Sequence, residues 1–201
     1  NKLSEESATI GSVNTVVNEL GKLIGYNTDV NGVIESLNPY KNQISDNDVC
    51  VIGAGGSARA VIYTLIRNFK PKNIFLVNRT EQHAHALKQH FKSKMKFDSI
   101  IPKELQQPDL IKLLNNCSLV VNSTSVGMYP TVDDSILSNA SAFVKDQIVF
   151  FFFYNPVKTK FLQLAESKNA ITIDGLNMLV QQAAKSFYLW TGVDFPTEKV
   201  Y

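Results

Sequence analysis

An α/β fold, with a parallel sheet covered by helices on both faces, is predicted by three features of this 201-residue chain. Short apolar runs alternate with helical stretches from residue 49 onward. The first run, Val49-Cys50-Val51-Ile52, leads directly into Gly53-Ala54-Gly55-Gly56-Ser57-Ala58, which fits the G-x-G-x-x-A form of a Rossmann-like fingerprint. Asn78 and then Arg79 follow at the interval where that motif places its second ribose-side contact.

Taken in order, buried strands are expected at residues 49–52, 73–77, 97–101, 119–121, 147–153 and 170–173. Each is short, apolar and bounded by turn residues, as befits a sheet with helices on both faces. Helices are expected between them at 58–69 and 81–91. Phe150-Phe151-Phe152-Phe153 suits a strand buried on both faces and leaves nothing polar there for chemistry. Upstream, residues 13–17 and 22–26 flank Asn18-Glu19-Leu20-Gly21 and read as a hairpin with glycine at a left-handed turn position. A hairpin does not stand alone, and nothing before Val13 reads as a partner strand, so the sheet it joins is expected in a preceding segment. A helix is expected at 29–37, ended by Asn38-Pro39 and followed by a polar linker at 41–48. Residues 175–190 carry Leu176, Leu179, Val180, Ala183, Ala184, Phe187 and Leu189 at mostly helical spacing, so one face of that helix packs on other structure.

Composition bounds the rest. An apolar fraction of 44% is ordinary for a globular chain with a real core. No apolar run reaches the length of a membrane span and no signal-peptide plan opens the chain, so a cytoplasmic address is expected. The chain begins at Asn1, and these residues are expected to belong to a longer polypeptide. The two cysteines, Cys50 and Cys117, have no metal or disulfide spacing and read as reduced core thiols. A net charge of +2 gives no mandate for nucleic acid; Lys88, Lys92, Lys94, Lys96 and Lys103 read as a solvated face. His85 and His90 lack partners at ligand spacing, and no metal is expected.

Within the glycine loop, Gly53 permits the tight turn out of the strand, Gly55 lets backbone approach a pyrophosphate, and Ala58 allows close helix–strand contact. The following helix then points its N-terminus at negative charge. Gly53, Ala54, Gly55, Gly56 and Ser57 are therefore expected to cradle a dinucleotide. At the end of the second strand a carboxylate would bind the ribose 2′-hydroxyl of NAD, whereas Asn78 followed by Arg79 suits the 2′-phosphate of NADP. NADP is the expected cofactor. Arg79 also reads as a plain surface arginine, but its place at a strand's C-terminal end favours the ligand.

Further motifs name a family. Ile10-Gly11-Ser12-Val13-Asn14-Thr15-Val16, Gly21-Lys22-Leu23-Ile24-Gly25-Tyr26-Asn27-Thr28-Asp29, the glycine loop and Asn78-Arg79-Thr80 resemble shikimate dehydrogenases in order and spacing. So do Asn122-Ser123-Thr124-Ser125-Val126-Gly127-Met128, Tyr154-Asn155-Pro156 and Gly175-Leu176-Asn177-Met178-Leu179-Val180-Gln181-Gln182-Ala183. The resemblance implies reversible NADP-dependent reduction of 3-dehydroshikimate to shikimate, on the route to aromatic amino acids, with a monomer or homodimer acting on a small molecule. It implies that Asp29 belongs to a catalytic pair with a lysine, that Asn14, Tyr154 and Gln182 contact substrate, and that Gly175 lies beside the nicotinamide. Cofactor contacts are carried in the same way onto Asn78, Arg79, Thr80, His83, Thr124, Ser125 and Phe152. For Asp29 alone, a helix N-cap is the competing reading.

The resemblance also implies an organisation: residues 1–30 as the end of a substrate domain, 31–170 as the NADP-binding domain, and 171–201 as a helix packing back toward the first. The family's lysine, in an N-V-T-x-P-x-K motif, and its carboxylate-binding serines are not matched here. A chain truly starting at Asn1 would read instead as a non-catalytic dinucleotide-binding module, and NAD-dependent quinate/shikimate dehydrogenation is the enzymatic alternative. Two substitutions depart from the family pattern. His83 stands where many members carry a second arginine, so NADP affinity is expected to rise as its imidazole protonates. Phe151 stands where aspartate is usual, so either packing has replaced a polar network or neighbouring groups have moved.

Overall fold

The computed structural model describes residues 1–105 and 107–200. In chain order its elements are β1 (Lys2–Leu3), α1 (Glu5–Ile10), β2 (Thr15–Glu19), β3 (Lys22–Tyr26), α2 (Asp29–Leu37), α3 (Lys41–Ile44), β4 (Asp48–Ile52) and α4 (Gly56–Thr64). They continue with β5 (Asn73–Asn78), α5 (Glu81–Met95), β6 (Ile100–Glu104), α6 (Gln107–Asn115), β7 (Leu119–Asn122), β8 (Ile148–Phe151), α7 (Lys160–Glu166), β9 (Ile171–Ile173) and α8 (Leu176–Thr191).

Six strands form one parallel sheet in the order β6-β5-β4-β7-β8-β9. The order reverses between β4 and β7, and in open α/β sheets ligands bind at such a switch point, beyond the strands' C-terminal ends. Although the strands are nearly all apolar, their side chains still sort by a period of two. Val49 and Val51 of β4, and Ile148 and Phe150 of β8, face a layer closed by α2, α4, α5 and α8. Cys50, Ile52, Val149 and Phe151 face the opposite layer, closed by α6 and α7. Burial pushes the Cys50 thiol well up and that of Cys117 to about 12, so both are inert core groups.

Several boundaries differ from the sequence reading. The strand expected at 97–101 runs instead over β6: α5 ends at Met95, Lys96 takes a left-handed conformation, and residues 97–99 lead into the strand. Helix α4 continues as a π-helical turn, Leu65–Phe69. Residues 41–44 of the expected linker form α3, whose Ile44 joins the core. β8 is shorter than expected: it stops at Phe151, and Phe153 lies beyond it, half-buried.

The N-terminal unit corrects a further expectation. The hairpin β2–β3 forms about Leu20 and Gly21, both with positive φ, and Asn18 Oδ1 accepts from Gly21 N at 2.9 Å. It is not without a partner strand, for β1 pairs parallel to β3 through Lys2 and Leu3. Helix α1, capped by Ser4 Oγ, turns the chain from β1 back toward the hairpin. Its C-terminal carbonyls are held from the larger sheet's helices: His90 Nε2 lies 2.7 Å from Thr9 O, and Arg59 donates to Ile10 O at 3.3 Å.

Helix α8 fastens the two sheets together. It packs along α2 so closely that a Cβ on Gly32 would lie 2.4 Å from Met178 O. At its far end Trp190 Nε1 donates to Val16 O of β2 at 3.0 Å. Among the described residues no helix is long and apolar enough to cross a membrane.

Candidate active site

The glycine loop leaves β4 at the switch point. Gly53 has φ +109°, and a Cβ there would meet Ser123 Oγ at 2.7 Å, so glycine is required by conformation and by space. Ser123 Oγ in turn donates to Ile52 O at 2.8 Å, tying the end of β7 to β4. A Cβ on Gly55 or Gly56 would meet nothing within 4 Å. These glycines therefore leave open space above the first turn of α4, whose N-cap Gly55 supplies no side chain to its amides.

Beside the loop lies a cavity of about 280 Å³ lined by Gly53, Asn78, Arg79, Thr124 and Ser125, with an apolar wall from Ile52, Val77, Leu105, Val126 and Ile136. It brings together five of the residues expected to touch a cofactor. Asn78 Nδ2 donates to Thr80 O at 2.8 Å, shaping the turn that presents Arg79 to solvent and leaves the N-terminus of α5 without a side-chain cap. Asn122 Oδ1 accepts from Thr124 N at 2.9 Å and from Thr124 Oγ1 at 2.7 Å, fixing the turn after β7. His83 is exposed in the first turn of α5. His85 pairs with Glu81 at 3.5 Å on that helix's exposed surface, a carboxylate partner that the sequence reading did not give it. A larger cavity of about 600 Å³, beside α6 and lined in part by Phe75, Lys103 and Leu110, contains none of the expected site residues.

Farther along the same edge, Phe152 is buried and Tyr154 is exposed in the loop beyond β8. Gly175, the N-cap of α8, is pressed against that segment: a Cβ would stand 2.3 Å from Phe153 O and 2.6 Å from Phe152 O. From there α8 rises about 10 Å to Gln182 at 1.5 Å per residue.

Gln182 meets the N-terminal unit. Asn14 Nδ2 donates to Asp29 Oδ1 at 2.8 Å, and Asn14 Oδ1 accepts from Thr28 N at 2.9 Å. Since an amide N–H only donates, that contact fixes which end of Asn14 faces Asp29. Gln182 Oε1 lies 3.3 Å from Thr28 Oγ1, so the expected substrate residues Asn14, Asp29 and Gln182 gather in one place. The N-cap reading of Asp29 is overturned. Thr28 is the cap residue and Asp29 the first helical residue, its own N–H donating to Asn27 Oδ1 at 3.2 Å. Asp29's carboxylate is thus free of capping duty. Burial raises its pKa above the usual value, and the Asn14 hydrogen bond opposes the rise.

Sequence reasoning missed three hydroxyls. Thr15, Thr28 and Ser186 are buried and mutually bonded, with Thr15 Oγ1 at 2.7 Å and Thr28 Oγ1 at 2.9 Å from Ser186 Oγ. One signal was present: Ser186 lies four residues after Gln182, on the same helix face.

A shikimate / quinate 5-dehydrogenase family profile matches residues 36–179, and a shikimate 5′-dehydrogenase C-terminal domain profile matches residues 175–201. The chain belongs to the shikimate dehydrogenase family. The NADP(+) shikimate dehydrogenase of Caldanaerobacter subterraneus subsp. tengcongensis is 40% identical over 201 residues, which span 99% of this chain and 69% of that protein. Shikimate 5-dehydrogenase of Listeria monocytogenes, solved with shikimate and NAD, superposes with a TM-score of 0.86 at 30% identity, covering all of this chain and 70% of that one. The Thermus thermophilus enzyme, solved with NADP(H) and shikimate, gives 0.81 at 32% identity over 98% of this chain and 69% of that one. The family's parallel six-stranded architecture is the one described above.

Proposed function

We propose that this chain carries the NADP site and part of the substrate site of an oxidoreductase that interconverts 3-dehydroshikimate and shikimate. The observation that supports this reading best is the joining of two groups of residues by α8. At one end is the cavity of Gly53, Asn78, Arg79, Thr124 and Ser125. At the other, Gln182 approaches the cap of the Asn14–Asp29 pair through Thr28.

The residues fit the cofactor. Open space at Gly55 and Gly56 over an uncapped helix N-terminus suits a diphosphate, and the apolar wall of the cavity suits an adenine ring. Arg79 would pair with the 2′-phosphate and His83 would add to its binding, with Thr80 at the turn between them. Gly175 would leave room beside the nicotinamide, next to Phe152. When bound, NADP accepts or supplies a hydride at C4 of its nicotinamide.

The chain's own residues would handle the substrate and its proton. Asp29, with a carboxyl raised by burial, would exchange a proton with the reacting hydroxyl or orient the group that does. Asn14 would hold that carboxylate in place while Gln182 and Tyr154 bind substrate hydroxyls. In this reading residues 1–30 contribute the substrate side, 31–170 the NADP side, and 171–201 the helix between them.

Fluorescence titration with NADPH and NADH tests the cofactor assignment, and the amide spectrum with added shikimate tests the substrate assignment. Saturable binding with NADPH preferred, together with shifts of the Asn14 and Gln182 side-chain amides, is expected. Equal affinity for the two nucleotides would overturn the NADP reading, and silent amides would overturn the substrate reading.

A further inference from the structure

We propose that Ser186 is a positioning residue of this site. Its buried hydroxyl docks α8 on the Asn14–Asp29 pair and so sets where Gln182 stands relative to Asn14. This inference rests on the reading that those three residues line the substrate site.

Ser186 Oγ contacts Thr15 Oγ1 at 2.7 Å, Thr28 Oγ1 at 2.9 Å and its own helix at Gln182 O at 3.1 Å. The two threonines both reach Asn14 Oδ1, Thr15 at 3.0 Å and Thr28 at 3.1 Å, and they lie 3.3 Å from each other. Three hydroxyl protons must serve all of these contacts. Two chains use each proton once and share the 2.7 and 2.9 Å contacts, Thr15 to Ser186 to Thr28 to Asn14 Oδ1 and Thr28 to Ser186 to Thr15 to Asn14 Oδ1; both run through Ser186 and end on that carbonyl. Donors aligned in this way polarise one another, and a carbonyl that receives them makes its amide Nδ2 a stronger donor. Asn14 Nδ2 is the group bonded to Asp29.

The location argues for more than adhesion. Thr15 and Thr28 are at most 2% exposed and Ser186 is 5% exposed, so none of these hydroxyls can exchange its partner freely for water. The network is also where the hairpin, α2 and α8 meet, although 158 residues separate Thr28 from Ser186. Removing the Ser186 hydroxyl would leave the two threonines competing for one lone pair of Asn14 Oδ1, because Thr28 N already occupies the other. Thr28 Oγ1 would then turn toward Gln182 Oε1, 3.3 Å away, and change how that side chain is held.

The test uses the whole 201-residue chain, with side-chain carboxyl and amide NMR as the readout. In Ser186→Ala, the side-chain amide signals of both Asn14 and Gln182 are expected to move. The titration midpoint of Asp29 should shift upward, in the direction of Asn14→Ala but less far. Ser186→Thr, which keeps the hydroxyl, should restore the wild-type midpoint. Thr15→Val removes a hydroxyl from the opposite side at nearly constant shape, and should shift the same signals if Ser186→Ala proves too unstable to study. A lower melting temperature with unmoved amides and an unmoved Asp29 midpoint would overturn the proposal and leave Ser186 as simple packing glue. Failure of the functional reading looks different: shikimate would leave the wild-type amides silent, while the effects of Ser186→Ala would persist.

Discussion

Asn122 and Phe151 stand side by side in register on the parallel strands β7 and β8, both fully buried, and Asn122 Nδ2 has no hydrogen-bond partner among the described residues. On the other side Asn122 is in register with Ile52, so its amide sits in an apolar row. Phe151 offers Asn122 packing and no acceptor, which leaves one orphaned donor. The phenyl ring lies in the layer with Ile52, Val149 and Phe161 and makes an edge contact to Phe153 at 6.0 Å.

Phe151→Asn would give Asn122 an acceptor, yet it is expected to destabilise the fold by about 2–4 kcal/mol. Losing a buried phenyl typically costs about 3–5 kcal/mol, and a new hydrogen bond returns about 1 kcal/mol. Urea unfolding measures the balance. A more stable variant would show that the orphaned amide outweighs the packing.

Glycine substitutions separate architecture from ligand binding. Gly175→Ala and Gly32→Ala each drive a Cβ into backbone atoms at 2.3 and 2.4 Å, so α8 must shift and stability should fall by about 1–3 kcal/mol. Gly56→Ala meets nothing within 4 Å, and Gly56 is the first residue of α4, where alanine also suits the helical backbone. It should melt no lower than the parent while losing NADPH affinity, because the added methyl fills the proposed diphosphate cradle. Thermal melts paired with NADPH titration read both effects. Unchanged NADPH affinity in Gly56→Ala would move the cradle elsewhere.

Arg79 offers a sharper test of cofactor choice. It is exposed beside the cavity, where its loss leaves the packing of the fold intact. A charge-assisted hydrogen bond contributes about 1.5–3 kcal/mol. Arg79→Ala should therefore weaken NADP binding by about one to two orders of magnitude and leave NAD nearly unaffected, as read by calorimetric titration. Equal losses for both nucleotides would sink the 2′-phosphate assignment.

The large sheet was legible because its signals are local: apolar runs of strand length, a glycine loop directly after one of them, and helical spacing between. β1 was not, because two residues, Lys2 and Leu3, form a strand only where β3 offers an edge. Helix α1 did carry a readable start in Ser4-Glu5-Glu6, a cap residue followed by acidic first-turn positions, but it is only six residues long. At the site, Asn14, Asp29 and Gln182 were reached through family motifs, whereas Ser186 was not reached at all. A serine is chemically generic, and what makes this one matter is proximity to Thr15 and Thr28, which only the folded chain creates.

Asp29 gives the last prediction its sign. Burial raises its carboxyl in the folded chain above the unfolded value of about 3.9, so the native state binds this proton more tightly. Its contribution to stability is most favourable below that value and falls as pH rises through the window up to the folded pKa, then levels off. Asp29→Asn removes the charge but keeps an oxygen to accept from Asn14 Nδ2. The variant should therefore melt higher than the parent at pH 7, with the difference shrinking as the pH falls toward about 3. Glu6, whose carboxyl is also raised by burial, titrates equally in both proteins and cancels from the difference. A pH-independent difference in melting temperature would mean that Asp29 does not carry this buried charge. The same substitution should cost activity in any form of the protein that turns over, since an amide cannot exchange the substrate's proton, and this opposition between stability and turnover is the expected mark of a carboxylate kept for chemistry.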